Sequence, residues 1–315
     1  MTLEISTLRH QEVLVTGAAG FIGSHLVDGL LEHGAVVRVL DNLSHGRREN
    51  LSHVADRILF IEGDIRDLEI CRKACEGVTY VFHQAALGSV PRSLEDPASF
   101  VAVNVSGTAN VFTAARDADV QRVVYASSSS VYGDSKDLPQ REGHEGRPLS
   151  PYALSKQMNE ELAETFDRCF GMQSVGMRYF NVYGPRQDPE GPYAAVIPRF
   201  FAACQAGKPP RIYGDGEQSR DFTFVKDVVE ANLLAATARF DARGAFNIGA
   251  GSRTTINDLA RAICGVMGTN VEPEYVESRP GDVLHSVADT TRARQAFGYR
   301  ASTDLDEGIA LTRPA

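Results

Sequence analysis

Val13-Leu14-Val15-Thr16-Gly17-Ala18-Ala19-Gly20-Phe21-Ile22-Gly23 is the stretch on which the reading of this chain turns. An apolar run reaches a glycine, and an amphipathic pattern begins at once. Ile22, Leu26 and Leu30 recur every four residues and lay an apolar stripe along one helix face. Strand, glycine turn and helix in that order let backbone N–H groups approach a pyrophosphate at the helix N-terminus. The spacing is G-x-x-G-x-x-G, one residue longer than the commonest dinucleotide fingerprint. Alone, such a turn also serves as a plain strand-to-helix connection, so its neighbours decide.

Outward from that turn, short β-branched runs alternate with helical patterns. Strands are expected at Glu12–Thr16, Val36–Asp41, Ile58–Glu62, Tyr80–Gln84, Arg122–Ser127 and Ser174–Tyr179. Helices are expected at Phe21–His33, Asp67–Cys75, Phe100–Ala118 and Tyr152–Phe170. This is the pattern of an α/β fold with a doubly wound parallel (Rossmann) sheet, which binds ligands at the carboxyl ends of its strands. From about Asn181 proline and glycine crowd the chain, and Lys208-Pro209-Pro210 and Gly214-Asp215-Gly216 punctuate it further. A smaller α/β substrate-binding domain is expected there. The division is 11–180 for the cofactor domain, with 221–248 returning to it, and 181–220 with 249–315 for the smaller one.

Asp41 closes the second expected strand, 24 residues after Gly17, where a carboxylate accepts hydrogen bonds from an adenosine ribose. A carboxylate there disfavours the extra phosphate of NADP, so NAD is the expected cofactor. Arg47 and Arg48 argue the other way, since arginines hold 2′-phosphates. Asp64 ends the third strand, where it either reaches the adenine amine or serves as a cap or turn residue.

Tyr152 and Lys156 stand four residues apart on an expected helix and so share a face. Ser127-Ser128-Ser129-Ser130 ends a strand whose carboxyl edge faces the same region. The three features suit hydride chemistry at a carbinol. A free phenol, with a pKa of about 10, is a poor base at neutral pH. A neighbouring ammonium and a positive nicotinamide ring stabilise the phenolate and lower that value. A serine hydroxyl then orients the substrate oxygen or relays its proton, and Lys156 can also hold the nicotinamide ribose. Tyr-x-x-x-Lys is common on helices; the glycine turn and the serine strand end give this one weight.

Composition sets the bounds. A net charge of −9 argues against a general nucleic-acid surface and leaves the phosphate-binding cations few and placed. No apolar run approaches the roughly 18 residues of a membrane span, and the first residues lack the apolar core of an export signal. Cys71, Cys75, Cys169, Cys204 and Cys264 show no metal-ligand or redox spacing. They read as structural, in a cytoplasmic protein without a metal centre.

At these residues the chain resembles the extended short-chain dehydrogenase/reductases of the NAD-dependent epimerase/dehydratase type, and more narrowly the UDP-hexose 4-epimerases. The likeness runs from about Val13 to Gly308. It includes His83-Gln84-Ala85-Ala86, Ser127–Gly133, Arg178-Tyr179-Phe180-Asn181 and Arg220-Asp221-Phe222. Leu87–Ser93 and the segments Arg186–Pro189 and Ala194–Pro198 look like the bacterial branch that handles UDP-N-acetylglucosamine and its uronate. The resemblance implies Tyr152 as base, Lys156 as its electrostatic partner and Ser128 as the hydroxyl touching O4. It implies NAD contacts from Gly17, Gly20, Phe21, Ile22, Asp41, Asn42, Asp64, Ile65, Ala85, Asn104, Tyr152, Lys156 and Tyr179. For the UDP-sugar it implies Ser89, Ser128, Ser129, Ser130, Asn181, Ala195, Val196, Tyr213, Arg220, Arg279, Asp282 and Ser286. The plainer alternatives are Arg220 as the surface partner of Asp221 and Ser286 as a small loop residue.

The expected reaction is epimerisation through a 4-keto sugar, with NAD retained. Dehydratases of this type carry an Asp-Glu pair, and decarboxylases a glutamate, where this chain has Ser129 and Ser130. Epimerisation is therefore preferred over both, and over a non-catalytic NAD-binding protein, which usually lacks the tyrosine–lysine pair. Ser286 stands where the resemblance places a bulky restrictor of the sugar's C2 substituent. Its small size favours UDP-N-acetylglucosamine, with UDP-glucose also accepted. UDP-glucuronate is the alternative, against which Asn181 speaks, because uronate epimerases often have threonine there. A homodimer built on the helices Phe100–Ala118 and Tyr152–Phe170 is also implied.

Overall fold

The computed structural model describes residues 5–189, 195–278 and 284–314. Its centre is a seven-stranded sheet. Strands β1 (Glu12–Thr16), β2 (Val36–Asp41), β3 (Ile58–Glu62), β4 (Tyr80–His83), β5 (Arg122–Ser128) and β6 (Ser174–Tyr179) are joined at one edge by Gly244–Ile248. The spatial order is Gly244–Ile248, β6, β5, β4, β1, β2, β3, with every neighbouring pair parallel. The order reverses between β1 and β4, so the crevice opens where their carboxyl ends diverge.

Every residue of β4 and β6 is buried, as a sheet covered on both faces requires. The helices are α1 (Phe21–Glu32), α2 (Leu68–Cys75), α3 (Val90–Glu95), α4 (Pro97–Phe100), α5 (Thr108–Asp117), α6 (Pro151–Phe170), α7 (Val196–Gln205), α8 (Val225–Ala236) and α9 (Ile256–Met267). Leu26 and Leu30 of α1 pack with Val228 and Val229 of α8 on one face. Ala74 of α2, Phe112 of α5 and Ala163 of α6 build the core of the other. A third apolar cluster, with Phe200 and Phe201 from α7, Ile212, and Leu259 and Ile263 from α9, adjoins the first through Ile22 and Val182.

The helix expected over Phe100–Ala118 is not one α-helix. α4 stops at Phe100, a π segment runs Val101–Gly107, and α5 resumes at Thr108. The wider turn seats the fully buried Asn104. Its amide takes the Leu87 N–H at 2.8 Å and donates to Leu87 O at 3.1 Å and Ser155 Oγ at 3.0 Å. Such bulges occur frequently at functional sites.

Candidate active site

Gly17 leaves β1 with φ +67°, and a Cβ there would lie 2.6 Å from Ala85 N, so the turns after β1 and β4 meet backbone to backbone. No side chain caps α1 and no acid sits in its first turn, which leaves its positive end to an anion. Asp41 is buried at the end of β2. Its Oδ2 accepts the Ala19 N–H at 2.9 Å and its Oδ1 the Leu43 N–H at 2.8 Å, which fixes the carboxylate against the glycine turn. Arg47 is paired with Asp188 at 2.9 Å, and Arg48 with Glu62 at 2.6 Å while stacking on Phe60. Both arginines that favoured a 2′-phosphate are thus committed to carboxylates.

Asp64 does local work. It accepts from the Arg66 N–H at 2.8 Å, the Arg66 guanidinium at 2.7 Å and Asn42 at 2.8 Å. Arg66 above all holds its carboxyl down at about 2. The turn role left open by the sequence is realised, although Asp64 also borders the cleft.

The crevice measures about 620 Å³, within the roughly 300–1,000 Å³ of small-molecule and cofactor sites. Gly17, Gly20, Phe21, Ile22, Asp41, Asn42, Asp64, Ile65 and Ala85 line it, and so do Ser128, Ser129, Tyr152, Lys156 and Tyr179. A bare helix N-terminus, a close-packed glycine turn and a fixed carboxylate at the end of β2 fit NAD.

The tyrosine sits in the first turn of α6 because Ser150 caps that helix, taking the Ala153 N–H at 3.1 Å, and Pro151 opens it. Tyr152 and Ser128 share a hydrogen bond. Lys156 is 3% exposed and donates to Ala126 O at 2.7 Å. Burial lowers its amine to about 8, with Glu160 opposing. Burial also pushes the Tyr152 phenol up, against the Ser128 hydrogen bond. In the protein by itself, then, the phenol is not lowered as the sequence suggests.

Asn104, expected at the cofactor, is instead engaged within the protein and is absent from the cleft lining. Ser130 Oγ is buried without a hydrogen-bond partner, and Ser89 caps α3.

A second cleft of about 420 Å³ is lined by Asn181, Val196, Tyr213 and Arg220, and by Arg199, Lys208 and Arg211, which the sequence reading missed. Asn181 borders both clefts. It takes a left-handed φ of +26° and donates to Asp221 O at 3.0 Å. Asp221 is fully buried and accepts the N–H groups of Ala250, Gly251 and Ala288 at 2.8, 3.0 and 3.0 Å. It is a core acceptor rather than the surface partner considered for Arg220. Ala195 is exposed at the start of α7. Ser286 is buried, gives its N–H to Ser219 O at 3.1 Å, and lines neither cleft. Arg279 and Asp282 lie outside the described residues.

Among the described residues no cluster of three or more His, Cys, Asp or Glu is arranged to hold a metal. Burial pushes the Cys71 and Cys75 thiols up to about 12.

A Rossmann sheet, a glycine turn against Asp41 and a serine–tyrosine–lysine cluster in one cleft define a nucleotide-cofactor enzyme. The chain belongs to the NAD-dependent epimerase/dehydratase family, whose family model matches residues 13–249. It is 42% identical over 303 residues to the UDP-glucose 4-epimerase of Mycolicibacterium smegmatis, covering 95% of this chain and 96% of that one. Among solved structures it is similar to the UDP-N-acetylglucosamine 4-epimerase of Methanobrevibacter ruminantium M1 in complex with UDP-N-acetylmuramic acid. That match has a TM-score of 0.93 and 39% identity, over 96% of this chain and 97% of that one. A UDP-glucuronic acid 4-epimerase mutant from Bacillus cereus, in complex with NAD and UDP-4-deoxy-4-fluoro-glucuronic acid, matches with a TM-score of 0.88. The identity there is 29%, over 96% of this chain and 98% of that one. No helix among the described residues is long and apolar enough to cross a membrane.

Proposed function

We propose that this chain inverts carbon 4 of a UDP-linked hexose. UDP-N-acetylglucosamine and UDP-N-acetylgalactosamine are the first substrate pair, with UDP-glucose and UDP-galactose also accepted. The observation that carries this reading is the meeting of two clefts at Asn181. Ser128, Tyr152 and Lys156 border one, and Tyr213 and Arg220 border the other. A UDP-sugar laid across Asn181 brings its hexose to the tyrosine while its diphosphate lies among arginines.

In this reading Tyr152 takes the proton of the 4-hydroxyl, Ser128 hydrogen-bonds O4, and the Lys156 charge favours the phenolate. NAD, when bound, supplies the hydride acceptor for C4 and returns the hydride to the opposite face, so no net redox results. Arg220 and Tyr213 hold the UDP portion while the 4-keto sugar turns over beside Ser129. Tyr152 then reprotonates O4.

Three carboxylates line the cofactor cleft among the described residues: Asp41, Asp64 and Asp188. Each is bonded elsewhere, to the glycine turn, to Arg66 and to Arg47. None is left beside Ser128 for an elimination, which supports epimerisation over dehydration. A second reading, UDP-glucuronate, draws on the Bacillus cereus relative. Lys156 lines the cleft beside Tyr152 but is already bonded to Ala126 O at 2.7 Å, so its charge is not free to pair with a C6 carboxylate. We place the reaction in the cytoplasm, on a homodimer.

The test is to incubate the purified protein, without added NAD, with UDP-N-acetylglucosamine, UDP-glucose and UDP-glucuronate separately, following the anomeric protons by NMR. The expected outcome is a 4-epimer from the first two, formed on retained NAD. A 4-keto-6-deoxy or pentose product, or no product after NAD is supplied, sinks the reading.

A further inference from the structure

We propose that Glu160 is a positioning residue of the catalytic helix. Held between Arg178 and the Ser127 hydroxyl, it fixes the α6 turn that carries Lys156 and keeps that amine charged beside Tyr152. The kinetic half of its test rests on the epimerase reading; the spectroscopic half does not.

Tyr152, Lys156 and Glu160 follow one another at four-residue spacing and so line one face of α6. Three successive residues of β5 take one each. Ser128 bonds Tyr152, Ala126 O accepts from Lys156 at 2.7 Å, and the Ser127 hydroxyl donates to Glu160 Oε1. Helix and strand end are therefore tied at three consecutive positions, and Glu160 supplies the third. From β6, Arg178 donates to the same carboxylate through Nε at 2.9 Å and Nη2 at 2.7 Å, a two-point fork that fixes its plane. Arg178 also pairs with Glu145 and donates to Tyr132 Oη at 3.1 Å. The Arg178 side chain is 7% exposed and that of Glu160 15%. Removing one partner from so buried a pair leaves the other charge uncompensated.

A purely structural ion pair would hold the helix and leave the amine alone. Lys156 acts electrostatically with Glu160 on its own helix and with His83 from β4, and it lines the cleft together with Tyr152 and with Tyr179 from β6. His83 is held near 3 by burial and by Lys156, so it is neutral. Burial pushes Tyr132 and Tyr179 up to about 12 and holds Tyr125 well above the ordinary phenol value. Among these groups Glu160 is the anion, and it opposes the burial that brings Lys156 down to about 8. The sign follows. Neutralising Glu160 disfavours the ammonium, so Lys156 loses its proton at lower pH and the charged fraction at pH 8 falls.

The chain has five lysines, Lys73, Lys136, Lys156, Lys208 and Lys226, so 13Cε-lysine NMR resolves the one of interest, assigned through Lys156→Arg. The measurement is its titration midpoint in wild type, Glu160→Gln and Glu160→Asp, together with the pH profile of kcat. Glu160→Gln is expected to lower the midpoint by about one unit, the size of effect a nearby opposite charge has, and to move the alkaline limb of kcat with it. Glu160→Asp keeps the charge and is expected to leave the midpoint in place. Because it cannot span both Ser127 and Arg178, its kcat should fall severalfold with KM little changed. An unshifted midpoint in Glu160→Gln overturns the proposal. If that variant does not fold, a Glu160→Asp protein with wild-type kcat, or with KM alone altered, overturns it instead. A shifted midpoint in a protein that converts no UDP-sugar keeps this inference and removes the epimerase reading.

Discussion

Tyr152 and Ser286 carry the two halves of the functional reading, reaction and substrate, and each can be questioned alone. The Tyr152 phenol is pushed up by burial and shares a hydrogen bond with Ser128. Tyr152→Phe removes the proton acceptor without touching the glycine turn or Asp41. Turnover should fall by about 10²–10⁴, the usual share of a general base, while NAD absorbance in the purified protein stays. A Phe variant with more than a tenth of wild-type rate would remove Tyr152 from the chemistry. Ser286 is buried and borders neither cleft, so the proposal that it limits the sugar's C2 substituent rests on the resemblance alone. Ser286→Tyr is expected to cut kcat/KM for N-acetylated substrates by about tenfold or more relative to UDP-glucose, equivalent to about 1.4 kcal/mol. Equal losses on both would show that it selects nothing. Glu160 shows what sequence reading left on the table at this scale. Its position, four residues after Lys156, was legible, but its partners Ser127 and Arg178 are 33 and 18 residues away along the chain and met it only in the fold.

At the level of elements, the strands were readable because they are short runs rich in apolar residues and bounded by turns, and the sheet follows from their alternation with helices. The Val101–Gly107 π segment was not, since apolar periodicity marks which face is buried and carries no signal for a widened turn. Asn104 was accordingly assigned to the cofactor, whereas the wider turn directs it to Leu87 and Ser155. The helix faces opposite the core make a prediction of their own. Leu154 and Met158, one turn apart on α6, are 46% and 38% exposed, and Val101 on the adjoining segment is 45% exposed. We expect these to be covered by the same faces of a second copy. Leu154→Glu with Met158→Glu should convert a dimer to a monomer in sedimentation velocity. A wild-type protein that sediments as a single chain at micromolar concentration rules the dimer out.

For the molecule as a whole, the sheet is not made from one continuous stretch of chain. β6 ends at Tyr179, and its outer neighbour arrives as Gly244–Ile248 after the chain has passed through α7 and α8. Between the end of one strand and the start of the other the ribosome must add roughly 65 residues, which at about 5–20 residues per second takes roughly 3–13 s. Throughout that interval β6, whose six residues are all buried in the finished protein, has no partner on its outer side. An unpaired apolar edge of this kind templates pairing with other chains. The nascent protein therefore passes through a period of exposure that its finished form conceals, and its yield in a cell should depend on how quickly that window closes or on what shields it meanwhile.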